Sequence, residues 1–110
     1  MNITNKENYL LIEDHNLDIA TLATELAQSH RDFEHNNVVV NVLDKGNLEA
    51  KDLLAFLEIS NLHRENKRSF VIASNPVSVE TLPEDIIIAP TLREVEDIIN
   101  MEELERELGF

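Results

Sequence analysis

The chain has no cysteine and no tryptophan, two glycines, three prolines, and aromatics at only 5% of its residues. Without cysteine there is no disulfide, no thiolate nucleophile and no Cys-ligated zinc or iron–sulfur centre. Gly46 and Gly109 lie far apart, so no glycine-rich loop can cradle a phosphate. Basic residues are scarce as well: 9 Lys and Arg stand against 22 Asp and Glu, a formal net charge of -13. A nucleic-acid backbone or an anionic membrane would be repelled before any short-range contact formed, so the partner this charge favours is a basic or neutral protein. No segment approaches the ~20 apolar residues of a membrane span. Met1-Asn-Ile-Thr-Asn-Lys-Glu-Asn8 also lacks the apolar stretch of a secretory signal, and the cytoplasm is the expected compartment.

What the chain does contain is aliphatic. Leu, Ile and Val supply most of the 43% hydrophobic content, which suits buried parallel strands in one domain spanning residues 1–110. Four short apolar runs, Tyr9-Leu-Leu-Ile12, Val38-Val-Val-Asn-Val-Leu43, Ser69-Phe-Val-Ile-Ala73 and Ile86-Ile-Ile-Ala89, read as strands. Ile3-Thr4 can add an edge strand through a turn at Asn5-Lys-Glu-Asn8. Between the strands, Ile19, Leu22, Ala23, Leu26, Ala27, His30 and Phe33 recur at helical spacing, with Asn16 or Asp18 as cap. Leu48, Leu53, Leu54, Phe56, Leu57, Ile59 and Leu62 form a broad apolar face that predicts a central helix. Thr91-Leu-Arg-Glu94 is a capping box opening a last helix with the stripe Leu92, Val95, Ile98 and Ile99. Beyond Asn100 the apolar positions become Met101, Leu104 and Leu108, off the earlier register, which predicts a kink or an extra acidic helix over 100–110. Asn75-Pro-Val-Ser-Val-Glu-Thr-Leu-Pro83, with two prolines, leaves room for one helical turn at most. Strands alternating with helices predict an α/β fold with a mixed, largely parallel sheet of four to five strands.

Catalytic motifs are weak. Leu10-Leu-Ile-Glu-Asp14 resembles the opening of response-regulator receiver domains. The later strands, however, end Val71-Ile-Ala-Ser-Asn75 without the phosphorylatable aspartate and Ala89-Pro90-Thr91 without the switch lysine. Of the four histidines, His30 and His35 are five apart and do not share a helix face; His30 reads as a packed or hydrogen-bonded residue rather than a ligand. No serine sits in a G-x-S-x-G elbow. Neither an enzyme nor a cofactor is expected. Glu13, Asp14 and His15 form an alternative small-ligand site, because carboxylates and a histidine cluster where α/β folds place sites at strand ends. The one basic cluster, His63-Arg64-Glu-Asn-Lys67-Arg68, falls where cations offset a helix dipole by roughly 0.3 to 1 kcal/mol each. The acidic stretch from Glu94 to Glu107, with Leu104, Leu108 and Phe110 interleaved, can pack on its own domain or dock on a partner.

The order of elements, with Asn37-Val-Val-Val-Asn-Val-Leu43, the Leu53-Leu54-Phe56-Leu57 helix, Phe70-Val-Ile-Ala73 and Ile86-Ile-Ile-Ala-Pro-Thr-Leu-Arg-Glu-Val95, resembles the STAS domain of bacterial anti-sigma-factor antagonists. The ending Met101-Glu-Glu-Leu-Glu-Arg-Glu-Leu-Gly-Phe110 is similar to that of small bacterial proteins labelled ribonuclease Z by genomic neighbourhood. That enzyme needs an H-x-H-x-D-H cluster for zinc, and here no two histidines are closer than five residues. The STAS resemblance implies a protein-binding module, with an anti-sigma-like kinase or ribonuclease Z as partner. It also implies a D-S-S-G-type phosphorylation motif at the start of the central helix, which falls on Glu49-Ala50-Lys51-Asp52 and has no hydroxyl. The expected partner surface is therefore Lys45, Asn47, Glu49, Ala50, Lys51 and Asp52, without control by phosphorylation. Gly46 is expected as a turn residue and Asn47 as the helix cap.

Overall fold

Short segments, most of them aliphatic runs too short to be helices, give five strands in the computed structural model of the chain, which describes residues 1–77 and 82–109. They are β1 (Asn2–Asn5), β2 (Leu10–Glu13), β3 (Val38–Asn41), β4 (Phe70–Ala73) and β5 (Ile87–Ala89), ordered β1-β2-β3-β4-β5 in one sheet. β1 is antiparallel to β2, from Asn2↔Glu13 to Asn5↔Leu10, and the remaining pairs are parallel. The fold is thus α/β with a mixed, largely parallel sheet. The hairpin predicted at residues 5–8 is present, closed by Lys6 N–H donating to Tyr9 O at 2.9 Å.

Because side chains alternate along each strand, consecutive residues feed two separate cores. Ile12, Val38, Val40, Phe70 and Ile72 face α1 (Ile19–Gln28), α2 (Ala50–Leu53) and α3 (Leu57–Glu65), meeting Leu22, Leu26, Leu53, Phe56 and Ile59. Leu11, Val39, Val71, Ala73 and Ala89 face the other way and meet Val95 and Ile99 of α4 (Leu92–Glu107). Both sheet faces are covered, which explains why the strands read as unbroken apolar runs.

Helix α1 starts at Asp18, whose carboxylate accepts from Thr21 N–H at 2.7 Å, so Asp18 rather than Asn16 is the cap. The predicted central helix is not continuous: a 3-10 turn, Leu54–Phe56, separates α2 from α3. Leu53, Phe56 and Ile59 are three residues apart and all buried, and the tighter turn keeps them in one line, whereas Leu54 and Leu62 point to solvent.

Two buried histidines meet within this core. His30 Nε2 lies 3.1 Å from His63 Nδ1, and His63 Nε2 lies 2.6 Å from Asn36 O, with Phe33 and Phe70 against the rings. The basic run 63–68 is accordingly divided. His63 enters the core, while Arg64 donates to Phe70 O and pairs with Glu102 of α4 at 3.2 Å.

Helix α4 corrects the expectation of a kink or second helix at Asn100: it runs unbroken to Glu107. The second half is held by polar contacts instead of apolar ones. Asn100 accepts from Asn8 Nδ2 at 2.8 Å, Glu103 accepts from Asn37 Nδ2 at 2.6 Å, and Arg106 donates to Ser69 Oγ and Asn37 Oδ1 at 3.2 Å. Thr91 caps the helix as predicted, accepting from Glu94 N–H at 3.1 Å. Among the described residues no helix is long and apolar enough to cross a membrane. The expectation for Asn75 to Pro83 falls partly on residues 78–81, outside the described residues.

Candidate interaction site at the start of the central helix

Parallel strands bring their C-terminal ends to one edge of the sheet, so the loops after β2, β3 and β4 meet there. The loop after β3 makes a 3-10 turn, Leu43–Lys45, and reverses at Gly46 with φ 78° and ψ -146°. Asn75, just past β4, fixes this corner by donating from Nδ2 to Leu43 O and Gly46 O, each at 3.0 Å. Nothing crowds the position a Gly46 Cβ would take, so a Gly46→Ala substitution isolates backbone strain. It is expected to cost about 1–2 kcal/mol in urea denaturation, since this region of φ and ψ is open to glycine almost alone; an unchanged midpoint would show that the corner relaxes.

The cap of α2 differs from expectation. Glu49, not Asn47, is the N-cap, in extended conformation, and Asp52 closes back on it by accepting from Glu49 N–H at 2.8 Å. The reason is that the turn at Gly46 consumes two more residues before helical geometry begins, leaving Asn47 exposed ahead of the cap. With Glu49 and Asp52 both acidic, the helix start repels rather than attracts an anion.

Lys45 also leaves the expected partner surface. Its ammonium donates to Asp14 O and to Leu17 O, stitching the β3 loop to the β2 loop. What remains at the surface besides the exposed Asn47 is Glu49, the half-buried Ala50 and Lys51, with Lys51 Nζ 3.4 Å from Glu49 and both of those charged side chains well exposed. Together with Leu48, Leu54, Pro76 and Val77 they line an open depression of about 510 Å³. The floor is apolar and the rim carries one charge of each sign. Sequence reading located the helix start but not Pro76 and Val77; the signal was their place directly after β4, whose end must lie beside that of β3.

The alternative trio is dispersed among internal partners. Glu13 accepts from Asn41 Nδ2 at 2.8 Å, across the β2–β3 pair. Asp14 takes the Met1 ammonium at 2.9 Å and the amides of Asn16 and Leu17. Those contacts, the ammonium first, pull its carboxyl down to about 2. His15 Nδ1 lies 2.6 Å from Asp44, which raises the His15 pKa and lowers that of Asp44. These side chains tie loops together and do not converge on a common point; among the described residues no three His, Asp or Glu groups gather as a metal site requires. No protein-family model matches the chain, and no curated protein matches it.

Proposed function

We propose that this chain is a cytoplasmic, non-enzymatic protein-interaction module of STAS type that grips its partner around the start of α2 and is not switched by phosphorylation there. The observation that carries the reading is the depression beside Glu49, Ala50 and Lys51, whose apolar floor and charged rim suit an inserted apolar side chain framed by polar groups. It lies where the family's switch motif would fall, and Glu49-Ala50-Lys51-Asp52 offers no hydroxyl to a kinase. The partner classes in view are an anti-sigma-like kinase and ribonuclease Z. The small-ligand reading at Glu13, Asp14 and His15 gains no support, because those side chains already have partners within the chain.

Affinity capture from native cells tests this. Changes at Asp52 would also remove the closure of the α2 cap, so the informative variant joins Lys51→Glu to Leu54→Glu, two exposed positions on the depression. A specific partner should be retained by the wild-type chain and weakened at least about tenfold in the variant, equivalent to about 1.4 kcal/mol of binding. Ribonuclease Z recovered at equal stoichiometry would identify that partner. Capture that survives both changes would place the interface elsewhere.

A further inference from the structure

The register shift in α4 is an outward-facing second stripe. Met101, Leu104 and Leu108 lie on the opposite side of the helix from the buried Val95 and Ile99, and are 62%, 55% and 63% exposed. No rotation of α4 can bury both sets against its own sheet. The polar contacts of Glu102, Glu103 and Arg106 on the inner side hold the orientation that exposes the stripe.

The spacing 97, 101, 104, 108 is the alternation of four and three that lets one helix seat along another. Asp97 occupies the first of these positions, and Glu105 and Glu107 flank the apolar ones, all three exposed. In helix pairs the flanking charges choose the partner. Here they are acidic, on a chain of net charge -13. A second copy would set two chains of net charge -13 against each other, with Asp97 meeting Asp97 in a parallel pair, and an anionic lipid surface would be repelled in the same way. A basic amphipathic helix satisfies both the apolar and the charged positions.

We infer that the outer face of α4 is a docking surface for a basic amphipathic helix of another protein, on the opposite side of the sheet from the depression at α2. The probe is a fluorescein-labelled lysine-rich peptide of about 21 residues, three heptads, with leucine at the seam positions. Controls are a peptide of the same composition with the leucines scattered, and one with glutamate for lysine. In anisotropy titrations the seam peptide should bind at least tenfold more tightly than either control. It should weaken at least tenfold on a chain carrying Met101→Gln, Leu104→Gln and Leu108→Gln, which leaves the net charge unchanged. The Lys51→Glu and Leu54→Glu chain should bind the peptide as the wild type does, which separates this surface from the α2 site. Equal binding of the scattered peptide would reduce the effect to bulk charge and overturn the proposal, as would unchanged binding to the triple variant. Sedimentation showing a dimer that the triple substitution dissolves, with no peptide binding, would assign the stripe to a second copy instead.

Discussion

Replacing Asn37 with alanine is expected to lower folding stability by about 3 kcal/mol. Asn37 is 7% exposed, and its carboxamide joins four segments at the N-terminal edge of the sheet. Its Nδ2 donates to Asn8 O at 3.0 Å and to Glu103 at 2.6 Å; its Oδ1 accepts from Ser69 N–H at 2.9 Å and from Arg106 at 3.2 Å. Alanine would leave the Ser69 amide, buried at 0% exposure, without that acceptor, and would remove one anchor of the polar half of α4. An unsatisfied buried group costs about 1–3 kcal/mol, and the lost charge-assisted contacts to Glu103 and Arg106 add to it. Urea denaturation followed by circular dichroism measures the total. Asn37→Asp should be worse near neutral pH, because a second carboxylate would then face Glu103 where the amide had donated, and it should recover in part as the pH falls. A loss under about 1 kcal/mol for Asn37→Ala would mean that water replaces the amide without difficulty.

The same residue shows where sequence reading stops. The strands, the edge hairpin and both capped helices are legible, because apolar runs, helical spacing and cap residues are local signals. The first helix, however, stops short of its apolar stripe: α1 ends at Gln28, and His30 and Phe33 fall in and after a 3-10 turn, His30–Asp32. Asn37 gave no such signal: it precedes Val38 as an ordinary polar residue, and only the sheet's topology brings Asn8, Ser69 and Glu103 to it. The register shift after Asn100 is legible as a change of face, but the pattern predicts a break where α4 is continuous. A single helix can present one apolar face inward and another outward, and the contacts that keep it straight are polar and distant in sequence. Of the expected partner surface, Asn47, Glu49 and Lys51 are exposed, Ala50 is half-buried between them, Asp52 serves the cap and Lys45 is turned inward, since the β2 loop offers two carbonyls within its reach. The separation between the depression at α2 and the stripe on α4 follows from the same topology. Helices α1 to α3 lie on one side of the sheet and α4 on the other, so two partners could bind without contact between them.

The His30–His63 pair predicts a loss of stability on mild acidification. Asn36 O can only accept, so His63 carries its proton on Nε2, at 2.6 Å, and its Nδ1 takes a hydrogen bond from His30 Nε2–H at 3.1 Å. His63 is then neutral, at 0% exposure against Phe33 and Phe70 in the core. Burial, reinforced by His30, Arg64 and Arg68, pushes the His63 pKa down from 6.5 to about 4. The hydrogen bond to Asn36 offsets this only in part. Between those values the unfolded chain binds a proton that the folded one refuses, so the contribution is complete above pH 6.5 and is lost progressively toward pH 4. The amount is roughly 2–3 kcal/mol. Carboxylates begin to titrate in the lower part of that window, and relief of the acidic self-repulsion acts the other way, so the measurement is a difference. His63→Gln keeps a donor for Asn36 and an acceptor for His30 but does not titrate. Stability of the wild type minus that of His63→Gln, from urea midpoints at intervals between pH 7 and pH 4, should fall by that amount. Parallel curves would mean that the pair takes up the proton within the fold, His30 moving its own hydrogen to Nδ1, 4.0 Å from Glu34, and accepting from His63.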